Sequence, residues 1–182
     1  DVKNIGNQIK ELAYQGNVDL VFGGHDHVYV RTKILSYEKN AGCEEVIKSK
    51  EETIFLNPFG TIFIVPGTTG VKNYKQNLKI SIPAEKVENP KGQVYSEVSF
   101  SSSDLKFKSY SVNTNTQKIE LIDSFSIRKK NRNTDSRYVS KLMNSVSNVP
   151  WIDDTEKINK ILNDYKSLRY QEKIKIKNSD KF

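Results

Sequence analysis

Residues 18–32 read VDLVFGGHDHVYVRT, and this stretch decides how the rest of the chain is interpreted. Residues 18–22 form a short apolar run that ends in two glycines, which is typical of a buried strand followed by a tight loop. The only two histidines of the chain, His25 and His27, lie in that loop. Ligands of open α/β sheets bind in the loops beyond the carboxyl ends of the strands, so the position of the pair favours a binding site.

The sequence on either side of this stretch predicts a mixed α/β fold. Residues 61–65 predict a second buried strand, which leads into a loop of small residues at 67–70. Residues 37–52 are charged and predict an excursion on the surface. Upstream, residues 5–16 predict a helix, and its apolar residues at helical spacing are Ile5, Ile9, Leu12 and Ala13.

Residues 93–127 predict antiparallel strands, with a turn at 113–116. Between 105 and 112 the apolar residues change from odd positions, Leu105 and Phe107, to even positions, Tyr110 and Val112. This change of face within one strand predicts a β-bulge near Ser109. Two further sets are each expected to share a face, namely Val94, Ser96, Val98 and Phe100 in one strand and Ile119, Leu121, Phe125 and Ile127 in another.

The charge of the chain is unevenly distributed. Lys and Arg total 29 and Asp and Glu total 22, yet residues 1–127 hold 15 of each, so the excess lies in residues 128–182. This change in composition predicts a domain boundary near residue 130, with one unit at 1–129 and a basic linker and small helical module at 130–182. The chain contains no apolar run near the ~20 residues that span a bilayer, and its one cysteine, Cys43, excludes an internal disulfide.

The spacing of His25 and His27 suits a pair of metal ions. In an extended stretch, side chains two residues apart point to one side at about 6.6 Å, and the ions of binuclear centres lie roughly 3.5–4 Å apart. Each imidazole could therefore bind a different ion. The alternative is that both are polar loop residues with satisfied hydrogen bonds.

The segment 18–32 resembles the last metal-ligand segment of the calcineurin-like metallophosphoesterases, in the purple acid phosphatase branch with its Gly-His-x-His-x-Tyr-x-Arg pattern. Residues 60–74, GTIFIVPGTTGVKNY, resemble the strand and small-residue loop that follow in bacterial members. The resemblance covers about residues 1–129. It implies an α/β (α+β) fold in which this chain is the C-terminal half of a metallophosphoesterase β-sandwich flanked by helices, followed by a small helical appendage.

The resemblance also implies roles for individual residues. His25 and His27 would bind two metal ions, iron with zinc, manganese or a second iron, and Gly24 would allow the turn before them. Tyr29 and Arg31 fit the pattern as residues near the substrate or as residues that position the loop. In the positioning role, Arg31 would contact carboxylates or carbonyls. Family members usually carry Glu where this chain has Val30, so an acidic position of the family pattern is lost.

The function implied is phosphomonoester hydrolysis by a metal-activated hydroxide. The other ligands of the family lie upstream of the matching segment, so the sequence is expected to be a fragment that lacks the N-terminal part of the catalytic domain. Such a fragment should be inactive alone and hold no catalytic residue of its own. The alternative is a catalytically silent metallophosphoesterase-like domain that serves as a binding or structural module.

The tail supports two interpretations. Tyr165, Leu168 and Gln171 resemble positions of small helical modules in multidomain surface proteins of Gram-positive bacteria, which implies a secreted or cell-surface parent whose tail contacts the cell wall or surface. The other interpretation is a helical cap on the phosphatase domain. A nucleic-acid arm is not expected, because the basic residues of the tail are interspersed with Asp and Glu, the pattern of solvated helix faces.

Overall fold

The computed structural model describes residues 2–37, 41–70 and 82–129, with isolated positions at 156 and 159. Within these ranges the chain forms one helix and nine strands in two sheets, which confirms the mixed α/β class. The module expected at 130–182 lies outside the described residues apart from those two positions. The elements in chain order are α1 (Val2–Gln15), β1 (Leu20–Phe22), β2 (Tyr29–Thr32), β3 (Glu45–Lys48), β4 (Thr53–Leu56), β5 (Ile62–Pro66), β6 (Ala84–Glu88), β7 (Gln93–Phe100), β8 (Asp104–Val112) and β9 (Ile119–Arg128).

The first sheet has the strand order β1-β5-β2-β6. The two apolar runs predicted as buried strands, β1 and β5, pair in parallel, with Leu20 opposite Ile62. Strand β2 runs antiparallel to both of its neighbours, β5 and β6. Strand β5 therefore lies between β1 and β2, although it follows both in sequence.

The second sheet has the strand order β3-β4-β9-β8-β7. Its long strands form the expected antiparallel meander, and β4 adds to β9 in parallel. The surface excursion predicted at 37–52 contains β3, whose residues are all exposed but which pairs with β4 as the edge strand of this sheet. Strand β4, which follows the excursion, is half-buried to buried. The core cluster joins the two sheets and consists of Tyr29, Phe55, Ile62, Ile64, Phe107, Phe125 and Ile127.

The irregularity predicted near Ser109 is present, but the extra residue lies on the neighbouring strand. Ser109 pairs with Asp123 and Tyr110 pairs with Leu121, so Ile122 of β9 is the bulged residue. The side chains of β8 alternate between the two faces without interruption, so Phe107 and Ser109 both point inward. Ser109 is fully buried, whereas the predicted bulge would have turned Tyr110 inward. The bulge instead reverses β9, because a bulge re-aims the side chains that follow it.

The strand faces predicted in the meander are therefore only partly correct. On β9, Phe125 and Ile127 are buried, whereas Ile119 and Leu121 lie beyond the bulge and are exposed. On β7, Val94 is buried, but Phe100 at the far end of the strand is 74% exposed.

Helix α1 is present where the sequence predicts it, but its apolar stripe is not buried within the described part of the chain. Ile5, Ile9 and Leu12 are exposed by 54%, 44% and 67%. The contact with the body of the protein is made at the last turn, where Ala13 and Tyr14 are buried and line a crevice with residues 58–61. In the described part of the chain, no helix has the length and apolarity needed to cross a membrane.

Candidate functional site

The two histidines lie in the loop 23–28, which joins β1 to β2. Because β5 lies between these strands, the loop must cross over the carboxyl end of β5. The amide of Gly23 donates a 2.7 Å hydrogen bond to the carbonyl of Ile64 and continues the β1–β5 ladder to the base of the loop. The histidines are thus at the edge where two parallel strands end, the place in α/β sheets where ligands bind.

His25 has an unusual backbone conformation. Its φ of 79° lies in the left-handed region, which residues other than glycine rarely adopt, although His is among the residues enriched there. The imidazole is 97% exposed, and its Nδ1 lies 3.5 Å from Oδ1 of Asp26. The extended geometry behind the 6.6 Å estimate is therefore absent at this residue.

Gly24 does not have the conformation expected of a residue required for the turn. It has no left-handed φ, and a Cβ added at this position would meet no heavy atom within 4 Å. The left-handed residue of the loop is His25. A residue with a Cβ could adopt the same backbone at position 24, and the role of Gly24 in allowing the turn stays a prediction.

His27 lies in a different environment from His25. It is half-buried and is not without an interaction partner. The next residue, Val28, is only 2% exposed, so the loop enters the core directly after His27. The two imidazoles thus form an asymmetric pair, with one ring in solvent and the other at the edge of the core.

Tyr29 and Arg31 meet on one buried carboxylate, that of Asp123 on β9. The Tyr29 hydroxyl donates to Oδ2 at 2.5 Å, and Arg31 Nε donates to the same oxygen at 2.6 Å. Arg31 Nη2 lies 3.4 Å from Oδ1, which also accepts the amide of Ser124 at 3.0 Å. Arg31 therefore has the carboxylate contact of a residue that positions the loop. We call Tyr29, Arg31 and Asp123 the buried polar triad.

Aromatic rings surround the triad. The guanidinium carbon of Arg31 lies 5.1 Å from the ring centroid of Phe125, and the Tyr29 ring stacks on that of Phe107 at 6.4 Å. Burial, with the Asp123 carboxylate beside it, raises the pKa of Tyr29 far above its ordinary value. The phenol therefore stays protonated and remains a donor at any physiological pH.

The surroundings of Val30 explain why this chain has no Glu between Tyr29 and Arg31. It is 7% exposed and lies between Val65 of β5 and Val87 of β6 in the middle of the first sheet. A carboxylate at this position would be buried among valines, which is costly without a partner. Valine is therefore the residue type that this environment favours.

The small-residue loop after β5 leaves the same edge of the sheet. Gly67 has a φ of 86°, and a Cβ there would meet Val94 at 3.2 Å. The carbonyl of Thr68 accepts the amide of Val94 at 2.7 Å, which joins this loop to the start of β7. The part of the motif at 71–74 lies outside the described residues.

The remaining metal donors of a binuclear centre are not found in the described part of the chain. Within residues 2–37, 41–70 and 82–129, no three His, Cys, Asp or Glu side chains come together as a metal-binding group. Cys43 is half-buried, and burial raises the pKa of its thiol, which disfavours the thiolate that binds metals. The two imidazoles are the candidate ligands that this part of the chain offers.

Comparisons with models of protein families, with curated proteins and with solved structures found no match. The family resemblance therefore rests on the residues quoted above. The residue that sequence reasoning missed is Asp123. A signal for it existed, since Asp123 stands two positions before Phe125 and shares its inward parity, but its partners are 92 and 94 residues away.

Proposed function

We propose that this chain is part of a binuclear-metal phosphoesterase that hydrolyses phosphomonoesters. The observation that carries the proposal is the position of His25 and His27 on a loop that crosses the carboxyl end of β5, beside the loop 67–70. In the proposed fold, the two sheets are the C-terminal half of a metallophosphoesterase sandwich. The remaining ligands would come from sequence upstream of residue 1.

The chemistry of the donors fits half of such a centre. Neutral imidazole suits zinc, iron and similar ions, and each of the two rings can supply one nitrogen. Two ions need further donors, of which bridging carboxylates are the usual kind, and the described residues supply no such group. When bound, the metals would lower the pKa of a water molecule and stabilise charge on the phosphate oxygens.

This chain's own contribution would be to hold the two imidazoles at fixed positions. The base of the loop is fixed by the bond between Gly23 and Ile64, and its far end by the burial of Val28 and Tyr29. Positioning of this kind is a large part of what a protein contributes to a catalytic metal site.

The test uses the full-length protein that carries this sequence. Metal content by elemental analysis and hydrolysis of p-nitrophenyl phosphate are measured for the wild type and for the His25→Ala, His27→Ala double variant. Removing both ligands should lower the metal affinity and the activity by more than the ~10–100-fold that removal of an outer-shell partner causes. Asp26→Asn is the matched control: Asp26 contacts His25 Nδ1 and is not proposed as a ligand, so its loss should stay within that ~10–100-fold range.

The result that contradicts the proposal is equally direct. If the double variant keeps the metal content and the phosphatase activity of the wild type, the histidines are not ligands. The 182-residue chain by itself is expected to show no phosphatase activity, because its described residues supply only two of the ligands.

The alternative function is a catalytically silent module of a bacterial surface protein. It is favoured by the exposure of His25 and by the absence of a third donor near the loop within the described residues. A full-length protein that folds, contains no metal and hydrolyses no phosphomonoester would establish this alternative.

A further inference from the structure

The buried polar triad connects the two sheets immediately behind the histidine loop. Tyr29 and Arg31 belong to β2 of the first sheet, and Asp123 belongs to β9 of the second. All three are buried, with Tyr29 0%, Arg31 6% and Asp123 6% exposed. Apart from Tyr29, the described members of the hydrophobic core cluster are Phe and Ile, and the charged pair of the triad lies against this cluster. Uncharged polar residues such as Ser109 and Ser126 are also buried in the second sheet.

Stability alone does not account for such a link. Removing charges from water is costly, and buried ion pairs can often be replaced by apolar residues of similar volume without loss of stability. Among the described residues this cost is not fully offset, because the buried Nη1 of Arg31 has no hydrogen-bond partner there. A polar link differs from an apolar contact because its hydrogen bonds are directional and fix the orientation of both partners.

The second sheet is built to present Asp123 inward. The bulge at Ile122 separates the inward Asp123 from the outward Leu121 two residues earlier. The side chain is then held by the amide of its own neighbour, Ser124, at 3.0 Å. The orientation of the Asp123 side chain is therefore set partly within its own strand, independently of the hydrogen bonds that it accepts from β2.

The effect of this geometry reaches the loop through one short segment. Tyr29 is the second residue after His27, and Val28 between them is only 2% exposed. Fixing the phenol of Tyr29 and the guanidinium of Arg31 fixes the start of β2. The start of β2 in turn sets where the backbone of His27 leaves the core.

We propose that Asp123 is a positioning residue for His27, which acts through Tyr29 and Arg31 and sets the orientation of the imidazole at the end of the loop. The statement that this orientation serves metal binding rests on the proposed function. The positioning itself can be tested without any metal.

The experiment uses the 182-residue chain labelled with 15N-histidine, in which only His25 and His27 give imidazole signals. His25→Ala assigns the two signals. In Asp123→Asn and in Tyr29→Phe, the ring signals of His27 should shift toward those of the exposed His25, while His25 itself stays unchanged. Tyr29→Phe removes a single hydrogen bond and decides the question if Asp123→Asn does not fold.

Asp104→Asn is the matched control. Asp104 also binds an arginine at 2.6 Å, through Arg128 Nε, but this pair joins neighbouring strands of the second sheet. The control should lower the stability without moving either histidine signal. If the His27 signals of Asp123→Asn and Tyr29→Phe coincide with those of the wild type, the triad is merely structural and the proposal is overturned.

A zinc titration of the same samples separates this proposal from the proposed function. If both hold, Zn²⁺ shifts the His27 signal of the wild type, and Asp123→Asn raises the half-saturating Zn²⁺ concentration about tenfold. If Zn²⁺ leaves the wild-type signals unchanged, the two imidazoles do not bind zinc without the further donors, and the metal content of the full-length protein then decides the metal-ligand role of His27. The positioning role would still be supported by a shift of the His27 signal in the metal-free variants.

Discussion

The hydroxyl oxygen of Tyr29 lies 2.5 Å from Oδ2 of Asp123, although 94 residues separate them in sequence. The hydrogen bond joins the strand that follows the histidine loop to the strand that carries the bulge. Both residues are buried, so the phenol exchanges water for one strong acceptor that it shares with Arg31. This relationship makes the tyrosine a sensitive reporter of the interface between the sheets.

The first prediction concerns alkaline pH. The pKa of Tyr29 is raised in the folded state, chiefly by burial, above the value of about 10 for an unfolded chain. The folded state then holds a proton that the unfolded state releases, so the stabilisation is complete below pH ~10 and is lost as the pH rises above it. The wild type should lose about 1.4 kcal/mol per pH unit more than Tyr29→Phe does above pH ~10, measured by urea unfolding.

Tyr95→Phe provides the control for this prediction. Tyr95 is 36% exposed and stacks on Tyr110 at 5.1 Å on the outer face of the sheet. This variant should keep the steep alkaline loss of the wild type. Equal pH dependence in the wild type and in Tyr29→Phe would show that Tyr29 is not held in its protonated form.

The second prediction concerns the ion pair. Arg31→Met leaves the Asp123 carboxylate buried without its cation and should cost about 3–5 kcal/mol of unfolding free energy. Adding Asp123→Leu and Tyr29→Phe removes the uncompensated charge and the unpaired hydroxyl together. The triple variant should regain most of the loss. Urea unfolding of the wild type, Arg31→Met, the Asp123→Leu, Tyr29→Phe double variant and the triple variant gives the coupling. A triple variant less stable than Arg31→Met would mean that the apolar side chains do not fit the site.

Local patterns in the sequence predicted the elements better than their arrangement. The apolar runs of β1 and β5 and the alternation in β7–β9 are properties of a few consecutive residues, and the strands are present. The insertion of β5 between β1 and β2 depends on pairing between distant segments, which no local pattern specifies. The same holds for the histidine site, since the pair and its loop were predicted, whereas Asp123 is linked to them only through the packing of two sheets.

The third prediction concerns the backbone of the loop. His25 has a φ of 79°, where a Cβ costs roughly 1 kcal/mol and glycine has no such cost. His25→Gly should therefore be more stable than His25→Ala by about 1 kcal/mol. At the neighbouring Asp26, whose φ is not left-handed, the order should reverse, because glycine has more conformational freedom to lose on folding. The same order at both positions would contradict the loop geometry described here.

The fourth prediction compares two glycines. A Cβ on Gly92 would lie 2.2 Å from the carbonyl oxygen of Val112, a backbone atom that cannot move without disturbing the β7–β8 pairing. Gly92→Ala should cost about 1–3 kcal/mol. Gly24→Ala should change the unfolding free energy by less than about 0.5 kcal/mol, since the site is open. Thermal unfolding monitored by circular dichroism gives both values, and a large loss at Gly24 would show that the turn requires glycine there.

The last prediction concerns helix α1. Leu12 is 67% exposed, whereas the next residue, Ala13, is 5% exposed and faces the crevice at residues 58–61. Gln has nearly the helix propensity of Leu, so Leu12→Gln should change the unfolding free energy by no more than about 0.5 kcal/mol. Ala13→Gln places a longer polar side chain against the body and should cost about 1–3 kcal/mol.

Because the two substitutions introduce the same residue at adjacent positions, the difference in unfolding free energy isolates burial from helix propensity. If Leu12→Gln is as destabilising as Ala13→Gln in urea unfolding, the apolar stripe of α1 is covered in solution.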